Sequence, residues 1–190
     1  MPPSSRERLL DAAVDLLQRQ GYHGTGLNEL LERSGAPRGS LYHYFPGGKE
    51  QIGAEAIARA GDQVAAAVGH LLRAKPSVPD AVEALAGLLA AGLEASAFER
   101  GCPVATTALE VTPRSEPIRA AVQASFESWL APLRERLEAT GFGPDEAGRR
   151  ADLTIAALEG ALVLARARQN ADVLREAGRQ LRPFLQPPED

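Results

Sequence analysis

A chain of 190 residues with a single cysteine is long enough to bury its own core without an internal disulfide, which suits a reducing compartment and makes the cytoplasm the expected location. Its hydrophobic residues, 44% of the chain and mostly Ala and Leu with few aromatics, favour helices over sheets, and no apolar run approaches the roughly 20 residues of a membrane span. The formal net charge of −4 excludes a uniformly basic nucleic-acid binder, but the balance is uneven: six Arg and Lys face five carboxylates up to Lys49, and fifteen face twenty thereafter. The opening Met1-Pro2-Pro3-Ser4-Ser5-Arg6-Glu7 lacks the apolar stretch of a secretion signal, so no export is expected.

The first helix is expected to begin near Ser4, which with Glu7 has the spacing of a capping box, and to end at Gly21. Leu9, Leu10, Ala13, Leu16 and Leu17 recur at helical spacing, while Arg8, Asp11, Asp15, Gln18 and Arg19 fill much of the opposite face. A second, short helix is predicted over Leu27–Ser34, stopped by Gly35, and a third over Pro37–Tyr44, with Pro37 in its first turn and Pro46 barring continuation. Two short helices around a tight Gly-containing turn have the layout of a helix-turn-helix, which completes a three-helix N-terminal domain over residues 1–48. Beyond Gly47-Gly48, helices are predicted over Lys49–Arg73, Asp80–Phe98, Val104–Val111, Glu116–Ala139, Asp145–Gln169 and Asp172–Phe184. These form a C-terminal helical bundle over residues 49–186, and the fold class is all-α.

Helical hairpins also occur in proteins that never touch DNA, so residue chemistry must assign the function. On the third predicted helix Arg38, Ser40, Tyr42 and His43 are polar or amphipathic, whereas Leu41 and Phe45 lie four apart and face a core together. Arg38 suits bidentate hydrogen bonds to guanine, Gly39 a close approach of the backbone to the groove, and Ser40 a base edge or a thymine methyl. Thr25 is read either as a phosphate ligand or as the N-cap of the second helix, two roles that are compatible. Tyr42, His43 and Lys49 suit the sugar-phosphate backbone. Tyr22, Tyr44 and Phe45 are expected to pack or to form a hinge, and His23 to be an ordinary loop residue.

The stretch Gly21-Tyr22-His23-Gly24-Thr25, followed by Leu30-Leu31-Glu32-Arg33-Ser34-Gly35, Gly39-Ser40-Leu41-Tyr42-His43-Tyr44-Phe45 and Lys49-Glu50, resembles the DNA-binding domain of the TetR/AcrR family. The resemblance is dense over about the first quarter of the chain. It implies a TetR-like all-helical fold and double-stranded DNA as a partner, and it assigns the positions of Tyr42, His43 and Lys49 to backbone contacts. Two departures are visible: Pro37 stands where the family often has a capping Ser, and Gly47-Gly48 makes the following turn one residue longer.

Farther along, Arg100-Gly101-Cys102-Pro103-Val104-Ala105 and Ala108-Leu109-Glu110 are similar to a motif of LmrA/YxaF-type repressors, a drug-responsive subgroup. That similarity implies a C-terminal bundle that encloses a small-molecule effector and forms a homodimer. Phe98, Cys102, Leu109, Phe126 and Trp129 combine apolar surface with irregular backbone or a polar tip and are candidate effector contacts, with ordinary core packing as the alternative for each. Cys102 has a second alternative, a redox-sensitive thiol at the start of a helix. The last two helices are the dimer surface that the resemblance implies. Ala156, Ala157, Gly160, Ala161 and Leu164 make a small-residue face that admits close helix packing, either with a second copy or within the subunit.

Three His residues (His23, His43, His70), one Cys and scattered carboxylates make no metal cluster, nucleophile elbow or phosphate-binding Gly loop, so neither an enzyme nor a cofactor is expected. The favoured reading is a ligand-responsive repressor that binds a palindromic operator as a dimer. Its competitor is a helical small-molecule carrier without sequence-specific DNA binding, which explains the negative charge but leaves the third helix unexplained.

Overall fold

In the computed structural model, which describes residues 3–187, ten α-helices and no strand occur among the described residues. They are α1 (Ser5–Gly24), α2 (Leu27–Ser34), α3 (Arg38–Tyr44), α4 (Gly48–Ala74), α5 (Val78–Ala95), α6 (Pro103–Val111), α7 (Glu116–Glu138), α8 (Pro144–Arg168), α9 (Asp172–Gln180) and α10 (Arg182–Leu185). The fold is all-α, as the composition implies. Compactness divides it differently from a single cut after residue 48. One unit joins residues up to Asp62 with Cys102–Phe126, and the other joins Gln63–Gly101 with the residues from Glu127 onward.

The first unit is built on α1. Ser4 Oγ accepts from the Glu7 amide at 3.2 Å and Glu7 Oε2 accepts from the Ser4 amide at 2.7 Å, so the capping box closes in both directions. The helix buries Leu9, Leu10, Leu16 and Leu17 and stops at Gly21, whose φ of 72° and ψ of −176° belong to a region that only glycine occupies readily. A further short turn carries the chain to Gly24. Against α1 pack α2, α3 and α6. α2 closes on Gly35 in the left-handed conformation (φ 60°), and the seven-residue α3 is anchored by Leu41 and the adjoining Phe45, both fully buried. Cys102 is the N-cap of α6, its Sγ accepting from the Ala105 amide at 3.4 Å, and Val104, Thr107 and Val111 turn inward from that helix.

In the second unit Val68, Leu72, Val82, Leu85, Leu133, Leu137, Phe142 and Leu158 share one core. α5 lies along α9, which also meets α8. Their close approach depends on Gly178, where a Cβ would come within 2.7 Å of Ala86 Cβ and 3.2 Å of the Glu83 backbone. Arg182 ties α10 to α5 through Asp80 (2.6 Å) and Glu83 (2.8 Å). The Arg150 guanidinium lies between the rings of Phe142 (4.3 Å) and Phe184 (4.6 Å).

Apart from one-residue shifts and the short turn added after Gly21, three boundaries differ from the sequence reading, each for a local reason. α5 starts at Val78, not Asp80, because the Ser77 hydroxyl caps the Asp80 amide (3.3 Å) and Pro79 fits the first turn. It ends at Ala95, not Phe98, because Ala97 (φ 49°) and Phe98 (φ 62°) turn left-handed. The final helix is two, α9 and α10, since Pro183 brings no amide to continue the ladder through Leu181.

Two stability predictions follow from these contacts. Gly178→Ala is expected to destabilise the fold by about 1–3 kcal/mol through overpacking, whereas Gly87→Ala, with open space at its Cβ, gains about 0.5–1 kcal/mol; thermal and denaturant unfolding of the two variants check this. Leu41→Ala is expected to cost about 2–5 kcal/mol and to loosen α3 selectively, seen as faster amide exchange over residues 38–44.

Candidate nucleic-acid interface

The α2–turn–α3 segment is held from behind. Arg8 of α1 donates to the Ser34 carbonyl at 3.2 Å, Ser34 Oγ donates to Leu31 O at 3.1 Å and accepts from the Ala36 amide at 3.2 Å, and Arg33 of α2 pairs with Asp15 of α1. These bonds satisfy the turn and leave the outer surface of α3 open. Arg38, Gly39, Tyr42 and His43 are exposed and Ser40 is half-buried, while Leu41 and Phe45 are wholly inside. A Cβ on Gly39 would touch nothing, so glycine there answers no demand of this subunit's own packing.

Charge in this region is distributed selectively. Arg6 pairs with Glu55, Arg19 and Arg33 with Asp15, and Arg59 with Asp11. Arg38 instead donates from Nη2 to the neutral amide oxygen of Asn28 at 2.9 Å, so its positive charge faces outward uncompensated. The sequence reading missed Asn28, an exposed residue in the first turn of α2 with no apolar periodicity to mark it.

Thr25 lies elsewhere than expected. It is buried, its hydroxyl donates to the Gly21 carbonyl at 2.7 Å, and the N-cap of α2 is Gly26. Thr25 thus closes the turn after α1. Lys49, in the first turn of α4, folds back so that Nζ reaches the His23 carbonyl at 3.4 Å and lies 4.7 Å from the centroid of the Tyr22 ring. Burial lowers the Lys49 ammonium pKa from its ordinary value against the opposing effect of the Glu110 charge, and burial raises that of the Tyr22 phenol. Tyr22 is a packing residue, its ring so close to α4 that a Cβ on Gly53 would come within 2.8 Å of it.

Glu110 of α6, quoted in the sequence only as part of a motif, joins this cluster. Its Oε2 accepts from the Tyr22 amide at 2.7 Å and the His23 amide at 3.0 Å. A contact across 88 positions leaves no trace in local periodicity.

The five candidate effector contacts do not converge within either unit. Phe98 and Trp129 belong to the second unit, Cys102, Leu109 and Phe126 to the first. Trp129 is buried, while Phe98, Cys102 and Phe126 are half-buried. Leu109 is 88% exposed and is not a pocket residue of this subunit, because Val104, Thr107 and Val111 take the inward positions of α6. A small apolar cavity of about 10 Å³ does exist inside the second unit, lined by Val68, Leu71, Leu72, Leu85, Leu133 and Thr154 among others, and none of the five lines it.

The face expected on α8 is present with one correction. Ala161 is buried within the subunit and Ala157 packs partly against the core, whereas Ala156, Gly160 and Leu164 are exposed. Leu153 (52% exposed) and Val163 (64%) extend the outward stripe. No helix among the described residues is long and apolar enough to cross a membrane.

Residues 9–56 match the model of bacterial regulatory proteins of the tetR family, and residues 79–180 match that of the LmrA/YxaF-like transcriptional regulator C-terminal domain. The chain is 34% identical over 170 residues to the HTH-type transcriptional regulator LmrA of Bacillus subtilis, covering 90% of each, and 36% identical over 160 residues to YxaF of the same organism, covering 84% of each. A solved structure of the TetR family regulator CifR, a cysteine mutant complexed with 26 bp double-strand operator DNA, superposes with a TM-score of 0.78 at 28% identity, covering 92% of this chain and 94% of that one. The chain therefore belongs to the TetR family of bacterial transcriptional regulators, with an N-terminal DNA-binding domain and a C-terminal domain of the LmrA/YxaF-like type.

Proposed function

We propose that this regulator is a repressor that binds a palindromic operator as a homodimer, reads bases from α3, and is released by a small hydrophobic effector. The observation that carries the reading is the division of α3 into a buried edge, Leu41 with Phe45 beside it, and an exposed edge holding Arg38, Gly39, Tyr42 and His43, on which only Arg38 brings a charge unopposed by a carboxylate. Arg38 is assigned to guanine, Gly39 and Ser40 to close contact with the groove, and Tyr42 and His43 to the sugar-phosphate backbone. Thr25 and Lys49 keep supporting roles. Thr25 shapes the turn, and Lys49 braces the chain at Tyr22 and His23 before α2. The operator complex of CifR supports this assignment by similarity.

The dimer is assigned to the outward stripe of α8 from Leu153 through Ala156, Gly160 and Val163 to Leu164, since two half-sites read by one short helix each require two-fold symmetry. The effector is assigned to the apolar cavity of the second unit, which must widen to admit a drug-sized molecule. An effector releases DNA only to the extent that it binds the DNA-incompetent state more tightly.

Selection of bound duplexes from a randomised pool at near-physiological salt tests the reading, with an enriched palindrome expected and no enrichment favouring a ligand carrier. On the selected duplex Arg38→Ala is expected to cost about 1–3 kcal/mol and to relax preference at one position per half-site, while Gly39→Ala weakens binding without loss of stability. Leu164→Asp is expected to convert the dimer to a monomer in sedimentation and to abolish preference for the two-fold site.

A further inference from the structure

We infer that Glu110 is a positioning residue for DNA recognition, the tie by which α6 fixes the chain entering the helix-turn-helix; this rests on the reading that α3 binds DNA. The break at Gly21 deprives the Tyr22 and His23 amides of helical acceptors, and both donate to one oxygen of Glu110, at 2.7 and 3.0 Å. The other oxygen occupies the space where a Gly21 Cβ would stand, so a side chain at the break would push the carboxylate away from the two amides, besides meeting the φ of 72° that favours glycine. Hydrogen bonds from backbone amides to a carboxylate are among the strong ones.

A second tie lies five residues on. Ser115, buried at the start of α7, donates from Oγ to Glu50 Oε1 at 2.6 Å, and Glu50 is in the first turn of α4. The corner from α6 to α7 is thus fastened at residues 22–23, just before α2, and at residue 50, just after α3. The two fastenings bracket the recognition segment. Its placement is set from both flanks by one corner of the chain, and the outward face of α3 takes part in neither bond.

The test uses the intact protein and the duplex that the wild type selects, well below the unfolding transition. Glu110→Ala is expected to weaken operator binding about tenfold or more with unchanged base preference, and Glu110→Gln, whose amide oxygen still accepts, to recover most of that loss. In Glu110→Ala the Tyr22 and His23 amides are expected to exchange faster while those of Leu16 and Leu17 do not. Operator affinity within about twofold of wild type, or unaltered exchange at Tyr22 and His23, overturns the role of Glu110. If Glu110→Ala does not fold, Glu110→Asp, which withdraws the carboxylate by one methylene, is judged by the same two readouts. A wild type that selects no duplex overturns the DNA-binding reading itself, whereas selection with Glu110→Ala unaffected overturns only the tie.

Discussion

Everything in the N-terminal unit depends on how α1 stops. Where a helix breaks, the carbonyls of its last turn and the amides of the residues that restart the chain lose their helical partners, and other groups must supply them. At Gly21 the backbone turns out of the helix, Thr25 closes the turn onto the Gly21 carbonyl, and the carboxylate of Glu110, from a helix far along the chain, takes the Tyr22 and His23 amides. The N-terminal three-helix module is therefore completed here by a fourth helix, α6, which packs against α1 and belongs to the same compact unit.

The short helix α3 illustrates a second constraint. Seven residues are too few for a helix to persist alone in water, so α3 exists because Leu41 and Phe45 are locked into the core and because Ser34 ties the turn before it to Leu31 and Ala36. That arrangement commits only one edge to packing. The pairing of Arg6, Arg19, Arg33 and Arg59 with carboxylates matters less for stability, since exposed ion pairs are worth little, than for removing most positive charge from competition with Arg38. An acidic chain can in this way leave a single positive charge, that of Arg38, uncompensated on the exposed edge of α3.

Much of this was legible in the residues. The Ser4 and Glu7 spacing, the stops at Gly21 and Gly35, and the helix-turn-helix itself are local signals with local causes, and the structure carries them almost to the residue. The family was legible from the Leu41–Phe45 run and the Gly101-Cys102-Pro103 motif. What was not legible is whatever requires two distant segments to meet: Glu110 reaching Tyr22, Ser115 reaching Glu50, and the grouping of α6 with α1. Leu109 and Ala161 failed differently. Each was chosen for its type, whereas helical phase, counted from Val104 and Thr107 in one case and Leu158 and Ala165 in the other, turns Leu109 outward and Ala161 inward.

The central claim, that one edge of α3 meets DNA while the opposite edge stays in the core, is tested most directly by amide hydrogen exchange of the intact chain with and without its selected duplex. Protection confined to the first turns of α2 and α3 and the start of α4, with the second unit unchanged or altered only in degree, is the predicted result. Protection that omits residues 38–44, or that falls only in the second unit, would contradict it.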